Sequence, residues 1–117
     1  MARTTTRRPT CTWRGASGTT YTFHIFPLPA SLNPGQNGNY IYAKQNAAGL
    51  WFPVYIGQGD LRERSSPAHH KTACIRQKGA THFHCHVNRD LRQRLAEEAD
   101  LLAAYRQAYS PVGCNER

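Results

Sequence analysis

Turn-forming sequence interrupts the first half of this chain three times, at residues 15–18, 27–38 and 46–49, and this punctuation limits the fold more than any other feature. The pieces left between, residues 12–14, 20–26, 39–45 and 50–57, are rich in aromatic and β-branched side chains and read as strands. The first two form a hairpin. Asn46-Ala47-Ala48-Gly49 is a four-residue loop that makes a second hairpin of the other two. Helices enter later. Asp60-Leu61-Arg62-Glu63 resembles a capping box and starts a short helix. Ser66-Pro67 supplies an N-cap and a first-turn proline for a second helix, expected to run to Lys78 and end at Gly79. Residues 81–87 alternate strictly, as a strand does. Asn88 caps a long helix expected over residues 89–109, stopped by Pro111 and Gly113. The order β-β-β-β-α-α-β-α describes an α+β domain.

The 117 residues suffice for one such domain and not for two. Residues 10–117 read as that domain, after a basic, mobile tail over residues 1–9 whose Arg3, Arg7 and Arg8 are available to phosphates. Fifteen Lys and Arg stand against seven Asp and Glu, a formal charge of +8, which favours a polyanionic partner, nucleic acid before others. No stretch approaches the roughly 20 apolar residues of a membrane span. The polar N-terminus also lacks the apolar segment of an export signal. These features predict a cytoplasmic protein with no membrane partner. Cys11, Cys74, Cys85 and Cys114 contain no Cys-x-x-Cys pair, so a structural zinc site is not expected and the thiols are expected to be free.

Four groups of residues bear chemistry. If the four-residue loop sets the register, Gln45 faces Leu50 and Tyr40 falls opposite Tyr55, so two phenols project side by side, either as packing or as a reactive pair. On the long helix, Leu91, Leu95, Leu102 and Tyr105 define a core stripe. Glu98 falls inside it, and Glu97 and Asp100 point away. An inward carboxylate needs either an ion pair or a metal. Arg64 follows Leu61 by three residues, so Leu61 anchors the face that presents a guanidinium suited to a phosphodiester. His69 and His70 follow near a helix start, where either suits phosphate binding or proton transfer. His82, His84 and His86 share one side of the last strand, opposite Phe83, Cys85 and Val87. That side is expected to face solvent or nucleic acid, with a histidine metal site as the rival reading.

Gly38-Asn39-Tyr40, Tyr55-Ile56-Gly57-Gln58, Leu61 and Arg64 resemble the hairpin motifs and helix of the GIY-YIG nuclease superfamily. Glu98-Ala99-Asp100-Leu101-Leu102 resembles that family's metal-binding helix, and Cys114-Asn115 its C-terminal Asn motif, so the likeness covers residues 38–115. Asn39 stands where the family has an aliphatic residue, and should face away from Tyr40. The family's histidine falls one turn after the arginine. Here that position is Ala68, with His69 one further on, and the helix break at Pro67 would return His69 to the site, with His70 as the substitute.

The resemblance implies a mixed or antiparallel three-stranded central sheet flanked by helices, with the N-terminal hairpin as an extra. It also implies an endonuclease that leaves 5′ phosphate and 3′ hydroxyl on DNA. Its site would be Tyr40, Tyr55, Arg64, His69, Glu98 and Asn115, with Glu98 holding one Mg²⁺ or Mn²⁺. Tyr40 would help deprotonate water with Tyr55 in support, Arg64 would meet the pentacovalent charge, and Asn115 would position the metal-site end. Arg62, His70, Lys71, Arg76 and Lys78 are the basic residues expected to bind nucleic acid. The rival from another class is a nucleic-acid-binding module of the same fold without catalysis, and its mark would be loss of Glu98 or Arg64, both of which are present.

Overall fold

The computed structural model describes residues 9–116; Arg3, Arg7 and Arg8 of the expected tail lie outside the described residues. Strands β1 (Thr10–Arg14), β2 (Thr20–Pro27), β3 (Asn37–Gln45) and β4 (Trp51–Asp60) precede helices α1 (Leu61–Arg64) and α2 (Thr72–Gln77). Strand β5 (His82–Val87), helix α3 (Leu91–Ala104) and a 3₁₀ turn (Arg106–Ala108) complete the α+β order expected from the sequence. The sheet departs from expectation. One five-stranded sheet replaces the expected three, in the order β1-β2-β5-β3-β4, with every pairing antiparallel. The cause is that β2 pairs with β5, His24 facing Cys85 and Pro27 facing His82, so the hairpin continues the sheet.

Helices cover both sides of this sheet. One side carries Tyr40, Tyr42, Val54, Phe83 and Cys85, packed against Leu61 of α1 and Ile75 of α2. The other carries Trp13, Phe23, Ile41 and Ile56 beneath Leu101 of α3. Strand β5 lies in the middle and is buried on both sides, which overturns the expected solvent-facing histidines: Phe83, His84 and Cys85 are all buried. The indole N–H of Trp13 donates to His84 Nδ1 at 3.0 Å, and the Trp51 ring stands edge-on to it at 4.4 Å. The three histidines do not converge. His86 Nε2 meets Glu97 Oε2 at 2.6 Å, and His82 Nδ1 meets the Thr81 hydroxyl at 2.8 Å.

Helix α3 begins two residues later than expected. Asp90 is its cap, accepting from the Gln93 N–H, while Asn88 Oδ1 accepts from the Asp90 N–H. It ends at Ala104, before the 3₁₀ turn, and not near Tyr109. The expected stripe is also rotated: Leu91 and Leu95 are 53% and 46% exposed, while Arg94, Glu97 and Leu101 are buried. The reason lies in the sheet. Where α3 starts, the strands beneath it present Asn39, Gln58 and His86, and polar groups of the helix match them. Asn39 Nδ2 donates to Arg94 O at 2.9 Å, and Arg94 Nε donates to Gln58 Oε1 at 3.0 Å. Glu97, expected to point away, is the carboxylate bonded to His86.

The thiols differ from expectation too. Cys74 of α2 and Cys114 form a disulfide, leaving Cys11 and Cys85 free. The bridge holds the C-terminal segment against the outer edge of β4, where the Cys114 N–H donates to Val54 O at 2.8 Å. The expectation of free thiols followed from an expected cytosolic setting, and the bridge corrects it for Cys74 and Cys114. Among the described residues no helix is long and apolar enough to cross a membrane.

Candidate active site

The tyrosine pair forms by a different register. Tyr40 faces Gly57 and Tyr42 faces Tyr55, two residues from the expected pairing. The loop is longer than expected, with Gln45 facing Trp51, and the ladder shifts once more between Tyr42 and Ala43. Tyr40 still meets Tyr55, now diagonally. A Cβ on Gly57 would collide with the Tyr40 phenol, so the glycine lets that ring lie across β4. The two rings stack with centroids 6.1 Å apart and planes 22° apart.

The segment after α1 supplies the histidine. Asp60 caps α1 by accepting from the Glu63 N–H, as the sequence predicts, and Leu61 is buried beneath it. Residues 66–71 form turns in place of the expected first half of α2, which starts only at Thr72. These turns bury His69, whose Nε2 lies 2.7 Å from the Tyr40 hydroxyl. The Lys71 N–H donates to His69 Nδ1 at 2.9 Å. A neutral imidazole accepting at Nδ1 carries its proton on Nε2, so His69 donates to Tyr40. Tyr40 then has its own proton free to direct elsewhere; burial raises the Tyr55 pKa, and the neighbouring Tyr40 hydroxyl acts in the opposite direction. The hydrogen-bond order is Lys71 N–H to His69 and His69 to Tyr40. His70, the substitute named from sequence, is exposed and stacks on His69 at 4.7 Å.

Arg64 and Glu98 complete the group. Gly59, at φ +143°, leaves space for the Arg64 guanidinium, and the Tyr42 hydroxyl donates to Arg64 O at 2.6 Å. Arg64 Nε is buried and has no hydrogen-bond partner among the described residues. Glu98, half-buried on α3, forms no hydrogen bond among them either. Burial raises its pKa, opposed by the charge of Arg64. Burial likewise raises Tyr40 and Tyr55, each of which also feels the Glu98 carboxylate, while Arg64 pulls both down. Tyr40, Tyr55, Arg64, His69 and Glu98 therefore form one electrostatic unit.

Asn115 stands apart in role. Its Oδ1 accepts from the Ile56 N–H at 2.8 Å and its Nδ2 donates to Ile56 O at 2.9 Å. The side chain is thus spent on the backbone between Tyr55 and Gly57, which it positions. Among the basic residues expected at a nucleic-acid surface, Arg62 and Arg76 are exposed. Lys71 is paired with Glu116 at 2.7 Å, and Lys78 donates to Pro111 O at 2.6 Å, so both tie down the C-terminal segment. Sequence reasoning missed Tyr42, Asn39 and Arg94 as positioning residues. Tyr42 was within reach of it, since it shares a side of β3 with Tyr40; the contacts of Arg94 depend on the rotation of α3 and had no local signal.

Two buried histidines predict an acid-sensitive fold. Burial, first among the causes, lowers both His69 and His84 from 6.5 to about 4. As pH falls through 6.5 the unfolded chain takes up these protons and the folded chain does not, so stability present above 6.5 is lost progressively toward 4. The loss should reach roughly 2 kcal/mol per histidine at about pH 5. Urea unfolding midpoints between about pH 7.5 and 4.5 measure it, and His84→Gln should flatten the profile. An equal slope in that variant would remove His84 from the account.

Compared with known proteins, the chain matches no family model, no curated protein sequence and no solved structure.

Proposed function

We propose that this protein is a divalent-metal-dependent phosphodiesterase that cleaves nucleic acid, DNA first, by the chemistry its resemblance to the GIY-YIG nucleases implies. One observation supports the reading: among the described residues, a buried Arg64 N–H without an acceptor and a half-buried Glu98 carboxylate without a donor feel one another's charge. A buried donor lacking an acceptor suits an anion, and a carboxylate lacking a donor suits a cation. A phosphate with its metal ion satisfies both. Glu98 fits Mg²⁺ or Mn²⁺, since such ions commonly use one or two protein carboxylates and leave the remaining positions to water and phosphate. The ion would supply charge neutralisation at the phosphate and a lowered pKa for water.

The chain's own residues do the rest. Tyr40 is 1% exposed and Tyr55 is half-buried, so the accessible phenol, Tyr55, is the better acceptor of the water proton. That reverses the order expected from the resemblance. Tyr55 would accept as its phenolate, becoming neutral as it takes the proton, and both the Arg64 charge and Tyr40 act to favour that phenolate against burial. The Arg64 N–H meets the phosphoryl charge, most strongly as the pentacovalent state forms. Water attacks phosphorus, the 3′ oxygen leaves and takes a proton from solvent, and the products carry 5′ phosphate and 3′ hydroxyl.

Labelled single-stranded, duplex and branched DNA incubated with Mg²⁺ or Mn²⁺ tests the proposal. Metal-dependent cleavage leaving 5′ phosphate is expected, and no cleavage of any substrate would refute it. Arg64→Ala should lower turnover by about 10²- to 10³-fold. Its affinity for uncleaved DNA should move far less, and an equal loss in both would reassign Arg64 to docking. Tyr55→Phe should lower kcat more than Tyr42→Phe, which removes only the bond to Arg64 O. Single-turnover rates for the two variants decide between them, and a greater loss in Tyr42→Phe would overturn the choice of base.

A further inference from the structure

The chain is divided sharply by charge. All seven Asp and Glu lie at residue 60 or later, so residues 1–59 contain no carboxylate. The N-terminal hairpin falls wholly in the acid-free part. On the sheet side that bears Tyr40, it presents Thr10, Thr12, Arg14, Thr20, Thr22 and His24, all exposed. Its other side is built into the core through Trp13 and Phe23. Asp100 reaches the hairpin from α3; it accepts from the N–H and hydroxyl of Ser17 and the hydroxyl of Tyr21, at the tip and on the α3 side.

The register ties this surface to the candidate site. Thr10 faces His24, His24 faces Cys85, Cys85 faces Tyr40 and Tyr40 faces Gly57, in one row across the sheet. Neighbouring strands lie about 4.8 Å apart, which puts His24 roughly 10 Å along the sheet from Tyr40. At that end of the row opens a cavity of about 330 Å³ lined by His24, Phe26, Ser31, Asn33, Gln36 and Leu61, among others. Leu61 opens α1, the helix that ends in Arg64, and its N–H donates to Gln36 O at 2.9 Å. One wall of the cavity is therefore fixed to the element that presents the guanidinium. The lining combines aromatic rings with hydroxyl and amide groups, the chemistry that takes a nucleobase by its face and its edge.

We propose that the exposed side of the N-terminal hairpin and the cavity at its foot form a docking track for single-stranded nucleic acid, leading the strand to the reacting centre. This rests on the phosphodiesterase reading above. Phosphates lie along the threonine hydroxyls and Arg14, and one base enters the cavity beside His24 and Asn33. A duplex does not fit, because its bases are already paired and stacked.

The full-length chain and its variants Arg14→Glu, His24→Ala and Asn33→Ala are titrated with a fluorescent single-stranded oligonucleotide across a salt series. The same duplex sequence is titrated in parallel, and Arg92→Glu on α3 serves as the charge control. Circular dichroism establishes that each variant folds. Arg14→Glu should weaken single-strand binding about tenfold or more and make the slope of log affinity against log salt shallower by about 0.7 per phosphate lost. His24→Ala and Asn33→Ala should weaken single-strand binding with the salt slope unchanged, and in all three variants KM for the single strand should rise by a larger factor than kcat falls. If the wild-type chain neither binds nor cuts nucleic acid, the functional reading fails, and this one with it. If it cuts and the hairpin variants bind as wild type does, the track is overturned and the functional reading stands. If duplex and single-strand binding fall together, or Arg92→Glu does the same damage, the single-strand assignment is overturned.

Discussion

Glu98→Gln should reduce metal-dependent cleavage by about 10³-fold or more while leaving DNA affinity within a few-fold of wild type. The substitution keeps the size of the side chain and removes its charge. Among the described residues Glu98 makes no hydrogen bond that the fold would miss, and it sits half-buried with its pKa raised. The folded state should therefore tolerate the neutral amide or gain from it, because burial disfavours the charged form. Stability and activity should move in opposite directions: the urea midpoint unchanged or higher, turnover lost. Without the Glu98 charge, one of the causes that raise the pKa of Tyr40 and Tyr55 is gone, so any residual activity should begin its rise with pH at lower pH than in wild type. The neighbouring carboxylate is the control. Glu97→Gln removes the charge that meets His86, and should cost stability first. Loss of turnover in Glu97→Gln, with Glu98→Gln active, would refute the assignment of Glu98.

The legible part of this site was the part written in local sequence. The Asp60 cap, the buried Leu61 at the start of α1 and the placing of Tyr40 and Tyr55 on adjacent paired strands are short-range features, and each is as the sequence predicts. The failures all required the partner surface. Tyr40 and Tyr55 meet, but diagonally, because loop length and a ladder shift together moved the register by two residues. The stripe on α3 was inferred from leucines, but the helix packs on Asn39, Gln58 and His86, which select Arg94 and Glu97. Glu98 remained close to the site because a rotation of one position on a helix moves a side chain by only about 100°. Likewise His84 was placed at the surface because alternation gives two sides to a strand without saying that both are covered.

Breaking the Cys74–Cys114 bridge should lower the unfolding free energy by about 4 kcal/mol, from the loop-closure entropy that a cross-link removes from the unfolded chain. The separation of 40 residues sets that size, and doubling it would add only about 0.6 kcal/mol. The consequence in the folded state is local. The bridge joins α2 to the segment in which the Cys114 N–H pairs with Val54 O and Asn115 clamps both backbone groups of Ile56. Lys71–Glu116 and Lys78–Pro111 hold the same segment, so reduction should loosen it without releasing it. Ile56 follows Tyr55 directly, and a looser clamp should blur the position of the phenol. Reduced protein should therefore retain its fold at room temperature, lose about 4 kcal/mol in urea titrations, and lose kcat more than KM. Cys74→Ala/Cys114→Ala should reproduce the stability loss in the absence of reductant. Asn115→Ala, with the bridge intact, should reproduce the kcat loss, which separates the clamp from the cross-link. If reductant leaves the urea midpoint of the wild-type chain unchanged, the bridge contributes nothing to its stability; if it lowers stability with kcat untouched, the C-terminal segment supports the fold and not the position of Tyr55.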